Sequence, residues 1–274
     1  MKKFNLIVLV VLIFSQLSFG QSPWTREKGK SYVQLGFSSI FFNKLADKNG
    51  KEKDLDGDFT DVTLQAYADY GITNKLEAQL VVPFKSVGYN LKNSSASESF
   101  SGIGNVSLGL KYKLLDSKWK LSSGLLLTPK TSQYDAKSGL STGLNATTAL
   151  PYITIGTSKG KWYYYGNLGY GYMTNDYSDY MRLNAEVGYQ IIDKGHLIFA
   201  LDTRNVIVKE KAFNTDLKQT VSFGDRIEYN AFGLKFNYEF SKDKFGVNAS
   251  GYGAFGIKNA PLAPSLNIGL YAKL

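Results

Sequence analysis

The sequence predicts an all-β protein, a transmembrane antiparallel up-and-down β-barrel of about 12 strands. Three observations lead to this prediction: many segments alternate apolar with polar side chains, the segments are long, and short turns alternate with long polar connections. Globular strands typically have about 5–6 residues, whereas a tilted strand needs about 9–11 to cross a bilayer. The predicted strands are 31–42, 59–70, 75–87, 103–115, 118–128, 142–155, 161–173, 181–192, 196–208, 226–240, 244–256 and 264–274.

Residues 1–20 have the pattern of a secretory signal peptide. Lys2 and Lys3 precede an apolar run over 6–14, and Ser18 and Gly20 supply the small residues that a signal peptidase reads. We expect cleavage near Gly20. The sequence then predicts a single outer-membrane barrel domain over 21–274, placed in the outer membrane of a Gram-negative bacterium.

Successive side chains of a strand point to opposite faces, so each alternating segment has one apolar and one polar face. Charges on the polar face would be costly against lipid but not against a wet lumen. We therefore predict that the polar face lines the lumen. The predicted lumen-lining residues are Asp61, Asp69, Glu77, Lys85, Lys111, Lys113, Lys120, Arg182, Glu186, Asp202, Arg204, Lys235 and Glu239, with Tyr67, Tyr163, Tyr165 and Tyr252 as aromatic surface.

Aromatic residues also gather at the strand ends beside the predicted short turns. A membrane barrel carries aromatic girdles at both interfaces, where amphipathic rings lie at headgroup level. The predicted membrane girdle consists of Tyr70, Trp119, Trp162, Tyr189, Phe240 and Phe245.

The connections keep a regular rhythm that a soluble sandwich does not require. Short turns are expected on the periplasmic side and long loops outside, and an even strand number brings both chain ends to the periplasm. The segment 21–30 is too short to hold a plug domain. The predicted long loops are 43–58, 88–102, 129–141, 174–180, 209–225 and 257–263.

The sixth predicted strand contains a proline. Pro151 has no N–H for a β-ladder, and a closed barrel has no free edge on which to place it. We therefore expect a bulge there or a shorter strand.

The chain ends NIGLYAKL, in which Leu266, Ile268 and Leu270 continue an alternation that Leu274 closes. This ending resembles the C-terminal signal that the barrel-assembly machinery reads in outer-membrane proteins. Three further stretches are SPWTREKGKSYVQLGF (22–37), YGITNKLEAQLVVPF (70–84) and GIGNVSLGLKYKLL (102–115). Together they resemble the MetA-pathway of phenol degradation family of outer-membrane barrel transporters. The resemblance implies passage of aromatic or other hydrophobic small molecules.

The sequence contains one histidine that could act as a catalytic base. His196 is expected on the turn over 193–195, at the periplasmic rim, as a solvated turn residue. Barrel hydrolases need a histidine base beside a serine, and neither a G-x-S-x-G elbow nor an H-E-x-x-H motif occurs. The sequence thus predicts no enzyme and no cofactor.

An acidic stretch in the first predicted long loop has alternating carboxylates of the kind that can bind calcium. In an EF-hand register Phe59 stands where glycine is required and Gln65 where glutamate is required. We therefore expect a solvated acidic loop and no metal. The carboxylates concerned are Asp54, Asp56, Asp58 and Asp61.

The expected partners follow from the net charge and the predicted location. The net charge is +9, but no dense basic run exists, so nucleic acid is not expected. The expected partners are outer-membrane lipid, a small-molecule solute and the assembly machinery. Two functions stay open: a narrow, weakly anion-preferring passive channel, or a barrel whose charges pair across the lumen and close it while its long loops bind a partner.

Overall fold

The structure is a computed structural model that describes residues 21–92, 96–207 and 225–274. The expected signal peptide lies outside the described residues, as does most of the expected long loop over 209–225. No helix in the described part is long and apolar enough to cross a membrane.

The described residues fold into antiparallel strands. They are β1 (Ser31–Ala46), β2 (Glu52–Gly71), β3 (Leu76–Leu91), β4 (Ser97–Ile103), β5 (Ser107–Asp116), β6 (Trp119–Thr128), β7 (Thr148–Lys159), β8 (Trp162–Met173), β9 (Tyr180–Ile192), β10 (Gly195–Val206), β11 (Glu228–Ser241), β12 (Phe245–Lys258), β13 (Ala260–Pro261) and β14 (Ser265–Lys273).

The sheet closes on itself because β1 pairs with β2 on one side and with β14 on the other. β4 and β5 occupy one barrel position, since both pair with β3, and the short β13 extends the position of β14 along β1. The fourteen elements of the described chain therefore make the twelve positions of an up-and-down barrel. The predicted fold class is confirmed.

The alternation in the sequence becomes an inside and an outside. On β2, Leu64 is 45% exposed on the outer wall, whereas Asp61 and Asp69 are buried on the inner wall. On β5, Leu108 and Leu110 are exposed and Lys111 is buried. An apolar outer surface around a polar interior is the reverse of a soluble protein and suits a wall that faces lipid.

Two expected long loops are largely strand. The predicted loop 43–58 narrows to a turn over 47–51, and β3 and β4 take up much of 88–102. A small apolar cluster explains the longer first hairpin: Phe42 stacks on Phe59 at 5.4 Å between ring centroids, and Ile40, Leu55 and Ala263 pack with them. Asp54, Asp56 and Asp58 therefore lie on β2 and not in a loop.

Two prolines interrupt ladders. Where Pro83 lies on β3, the partner strand breaks between β4 and β5, and Gly104 N donates to Pro83 O at 2.8 Å. The sixth strand begins at Thr148 and not at 142. Pro151 pairs with Leu125 of β6, but its ladder with β8 pauses and then resumes without a shift, so the alternative of a bulge does not occur. The loop before this strand is accordingly longer, 129–147.

Candidate functional site

Most charges of the inner wall are paired along the wall. Arg182 of β9 makes a two-point contact with Asp202 of β10, from Nε at 3.1 Å and Nη2 at 2.8 Å. Lys85 of β3 contacts Asp61 of β2 at 2.7 Å. These partners sit on neighbouring strands, so the ion pairs leave the middle of the lumen free and do not bridge it.

A third wall pair holds the start of the chain inside the barrel. Lys111 and Glu77 are 1% and 0% exposed and lie 2.8 Å apart. Lys111 Nζ also donates to the carbonyl oxygens of Ser22 and Trp24, each at 3.1 Å. Ser122 Oγ donates to Pro23 O at 2.7 Å. Residues 21–26, hereafter the strap, thus run through the short-turn end of the lumen.

The strap fits closely against the wall. A Cβ on Gly156 of β7 would lie 2.7 Å from Pro23 Cγ, so the absent side chain there lets the strap approach. Arg26 N donates to Glu77 Oε2 at 2.6 Å, and the Arg26 guanidinium lies 5.0 Å from the centre of the Tyr32 ring. The segment is too short for a plug domain, but it enters the lumen nonetheless.

Above the strap lies a lumen cavity of about 540 Å³, hereafter the central cavity. The Lys235–Glu186 pair lines one side, and Tyr163 Oη donates to Glu186 Oε2 at 3.2 Å. On the other side Tyr67 Oη donates to Asp69 Oδ1 at 2.5 Å. Its tryptophan and tyrosine lining consists of Trp24, Tyr32, Tyr67, Tyr163, Tyr165, Tyr252 and Tyr271.

A smaller cavity of about 170 Å³, hereafter the upper cavity, lies toward the long-loop end. Gln65 borders both cavities. The lining of the upper cavity mixes hydroxyl groups, including those of Thr128 and Thr142, with apolar groups, including Leu126 and Leu150. Lys85, Arg182 and Arg204 contribute its cationic side chains.

The loop 129–147 folds inward and covers this cavity. The side chain of Asn105 holds the loop through two hydrogen bonds to the backbone of Leu144. Its Oδ1 accepts from Leu144 N at 2.7 Å, and its Nδ2 donates to Leu144 O at 3.0 Å. Thr142 Oγ1 donates to Ile103 O at 2.7 Å. At the loop tip, hydrogen bonds from the hydroxyl and the backbone N–H of Ser138 lower the pKa of Asp135.

The predicted lumen residues do not all reach the cavities. Lys113 and Lys120 contact Asp116 beside the short turn, because a register shift between Lys113 and Leu115 ends the regular ladder. Glu239 pairs with Lys273 near the same end of the barrel. The remaining predicted residues lie on the inner wall, where Asp61, Asp202 and Arg204 are buried with their neighbours.

His196 is not a turn residue. It is the second residue of β10, and its ring lies 6.4 Å from that of Tyr163 between centroids. No group of three or more His, Cys, Asp or Glu side chains in the described part of the chain is arranged to hold a metal ion.

The predicted girdle residues lie on the outer wall beside the short turns. Trp162 and Tyr189 approach to 4.5 Å between ring centroids, and Phe240 and Phe245 to 5.5 Å. Tyr70 and Trp119 are exposed at the same end.

Several lumen residues were missed by the sequence analysis. Tyr32 and Tyr271 lie on the inner face of β1 and β14, so the period-two pattern could have found them. Trp24 and Arg26 of the strap could not be found in this way, because the strap has no periodicity.

Comparison with known proteins gives one family. The family model described as "Putative MetA-pathway of phenol degradation" matches residues 34–267. No curated protein matches the chain.

Among solved structures, an outer membrane channel from Pseudomonas putida F1 is 18% identical, with a TM-score of 0.75, over 94% of this chain and 100% of that one. The KdgM porin is 8% identical, with a TM-score of 0.51, over 88% and 98%. The beta domain of the Bordetella autotransporter BrkA is 11% identical, with a TM-score of 0.51, over 90% and 100%. A channel, a porin and an autotransporter domain share this fold, so the likeness establishes the barrel and not its use.

Proposed function

The chain belongs to the MetA-pathway of phenol degradation family, and from this premise we propose that it is a passive outer-membrane channel for small aromatic or hydrophobic solutes. The observation that carries the proposal is the central cavity. It offers one tryptophan and six tyrosine side chains, and its Lys235 and Glu186 side chains form an ion pair with each other.

Such a lining suits a neutral or weakly charged ring. Tyrosine and tryptophan faces bind rings by stacking and edge contacts, worth about 0.5–1.5 kcal/mol for each pair. Binding of that strength retains a solute briefly and still lets it leave, as conduction requires. The strap and the loop 129–147 narrow the two ends of the lumen, so we propose a small solute and a low conductance.

The same proposal includes the cellular location. Removal of residues 1–20 would leave Gln21 as the first residue, and the apolar outer wall with its aromatic girdle would then lie in lipid of the outer membrane of a Gram-negative bacterium. The alternating C-terminal strand β14 would serve the assembly machinery during insertion. Transport, and not catalysis, is the activity that we propose.

The test is single-channel recording of the folded mature chain, residues 21–274, in a planar bilayer. We expect small discrete current steps that shorten or fall when phenol is added, whereas an aliphatic alcohol of similar size has less effect. An inserted protein that stays silent, with or without phenol, would overturn the channel and favour a closed barrel whose loops bind a partner.

A further inference from the structure

We propose that Arg204 forms a binding subsite in the upper cavity for a small carboxylate with an apolar body, which narrows the proposed solute class from aromatic solutes in general to aromatic acids. The inference rests on the proposed function for its role in transport, but the site itself can be tested by binding alone.

Arg204 is a buried cation without an acid. It is 9% exposed, and no carboxylate in the described part of the chain lies within ion-pair distance. Among the described residues its Nη2 donates to Met173 Sδ, at 3.6 Å, and its Nε is buried with no acceptor. Its cross-strand neighbour Arg182 differs, because its Nε and Nη2 both donate to the carboxylate of Asp202.

An aromatic ring holds the Arg204 guanidinium in place. The guanidinium carbon lies 3.9 Å from the centre of the Tyr180 ring. Tyr180 can occupy this position because Gly171 has no side chain: a Cβ there would be 2.2 Å from Tyr180 Cζ. A cation–π contact covers the flat face of a guanidinium and leaves its in-plane donors for another group. Arg204 and Tyr180 both line the upper cavity.

The unpaired charge is what points to a ligand. A buried charge is costly unless it is paired and hydrogen-bonded, and the ion pairs of Lys85 and Arg182 meet that need elsewhere in the same cavity. A carboxylate matches the two parallel donors of a guanidinium and would supply the missing acceptor.

The rest of the cavity indicates the ligand's body. Its volume of about 170 Å³ is close to that of an engineered apolar cavity of about 150 Å³ that binds benzene. Leu126, Ala146 and Leu150 form one apolar cluster with Tyr180, so a ring attached to the carboxylate would meet apolar groups. A fully polar anion would make no apolar contact with these groups.

The test is calorimetric titration of the folded protein with sodium benzoate, with benzyl alcohol as the neutral counterpart. We expect Arg204→Gln to weaken benzoate binding on the order of 10- to 100-fold, as for loss of a charged hydrogen-bonded partner, and to leave benzyl alcohol unaffected. Lys118→Gln makes the same charge change at an exposed short turn and should leave benzoate binding as in the wild type. Arg204→Lys keeps the positive charge but lacks the two parallel N–H donors of the guanidinium, so this variant should bind benzoate with intermediate affinity.

Equal benzoate affinity in the wild type and Arg204→Gln would overturn the site, and so would benzyl alcohol or inorganic phosphate binding as tightly as benzoate. If Arg204→Gln does not fold, judged by heat-modifiable gel mobility, Arg204→Lys decides in the same way. A protein that conducts but shows no Arg204-dependent binding refutes this site and leaves the channel intact. A silent protein that binds benzoate through Arg204 refutes the channel and leaves the site.

Discussion

Trp24 of the strap lies edge-on against Tyr163 of the wall, with ring centroids 5.9 Å apart and ring planes at 89°. Tyr165 meets the same indole at 6.1 Å. The strap is therefore joined to the barrel by aromatic contacts on one side and by Lys111 on the other. Because Trp24 also lines the central cavity, the contact ties the position of the strap to the width of the passage.

The first prediction follows from that contact. Trp24→Ala should raise single-channel conductance, because it removes a large ring from the central cavity and loosens the strap. The edge contacts with Tyr163 and Tyr165 are each worth about 0.5–1.5 kcal/mol, so thermal stability should fall only modestly. Trp119→Ala is the matched control, since Trp119 is exposed on the outer wall and should leave conductance unchanged. Conductance equal to the wild type in Trp24→Ala would show that the strap does not limit the passage.

The second prediction concerns the Glu77–Lys111 pair. Lys111→Met leaves a fully buried carboxylate without its cation and frees two strap carbonyls, so it should lower the free energy of unfolding by about 3–5 kcal/mol. Denaturant unfolding in detergent micelles, followed by gel mobility, measures this change.

The double variant Glu77→Gln with Lys111→Met removes both charges and should recover part of the loss. Lys113→Met is the control, because its partner Asp116 is 47% exposed and ion pairs open to solvent are worth about 0–1 kcal/mol. Similar losses for Lys111→Met and Lys113→Met would contradict the special role of the buried pair.

The third prediction is a pH effect at the tip of the loop 129–147. The pKa of Asp135 is lowered by donors from Ser138, so the turn is stabilised above the ordinary carboxyl pKa, near 3.9, and loses that stabilisation as pH falls through the lowered value. Current fluctuations should therefore increase only below about pH 4 in the wild type.

Asp135→Asn should show the larger fluctuations at neutral pH as well, because the amide is a weaker acceptor than the carboxylate. Asp176→Asn changes a carboxylate in the loop between β8 and β9 and should behave like the wild type. An unaltered pH profile in Asp135→Asn would mean that this turn does not control the loop.

Period-two alternation predicted the barrel and most of its inner wall, because burial of one strand face is a local property that a sequence states directly. Glu77 and Lys111 were assigned to the lumen on that basis, and both lie on the inner wall. Lys113 keeps the same phase as Lys111 and pairs in register with Ser122, but its contact with Asp116 beside the short turn is not visible in the pattern. The predicted strand ends were wrong where packing between strands determines the strand length, as at Phe42 and Phe59.

The contents of the lumen could not be predicted in this way. The strap is held largely through the backbone carbonyl oxygens of Ser22, Pro23 and Trp24. Every residue has such an oxygen, so the residue types do not reveal these contacts. The inward fold of the loop 129–147 is held by long-range contacts such as those of Asn105 with Leu144 and of Thr142 with Ile103. Such contacts have no periodicity, so only three-dimensional closure brings them together.

The last prediction tests the charge balance of the central cavity. Glu186 and Lys235 line it as a pair and lie on strands separated by β10. Glu186→Gln leaves an uncompensated cation beside the passage and should favour anions, whereas Lys235→Gln leaves an uncompensated carboxylate and should favour cations. A difference of about 1.4 kcal/mol between ion barriers corresponds to a roughly tenfold change in permeability ratio. Reversal potentials across a KCl gradient measure the ratio.

The opposite signs expected for the two variants separate a local effect of charge from a general loosening of the barrel. General loosening would move both variants toward no selectivity. The double variant should return toward the wild-type ratio, and Lys118→Gln should not change it. Shifts of the same sign in both single variants would exclude the central cavity as the place where ions are selected.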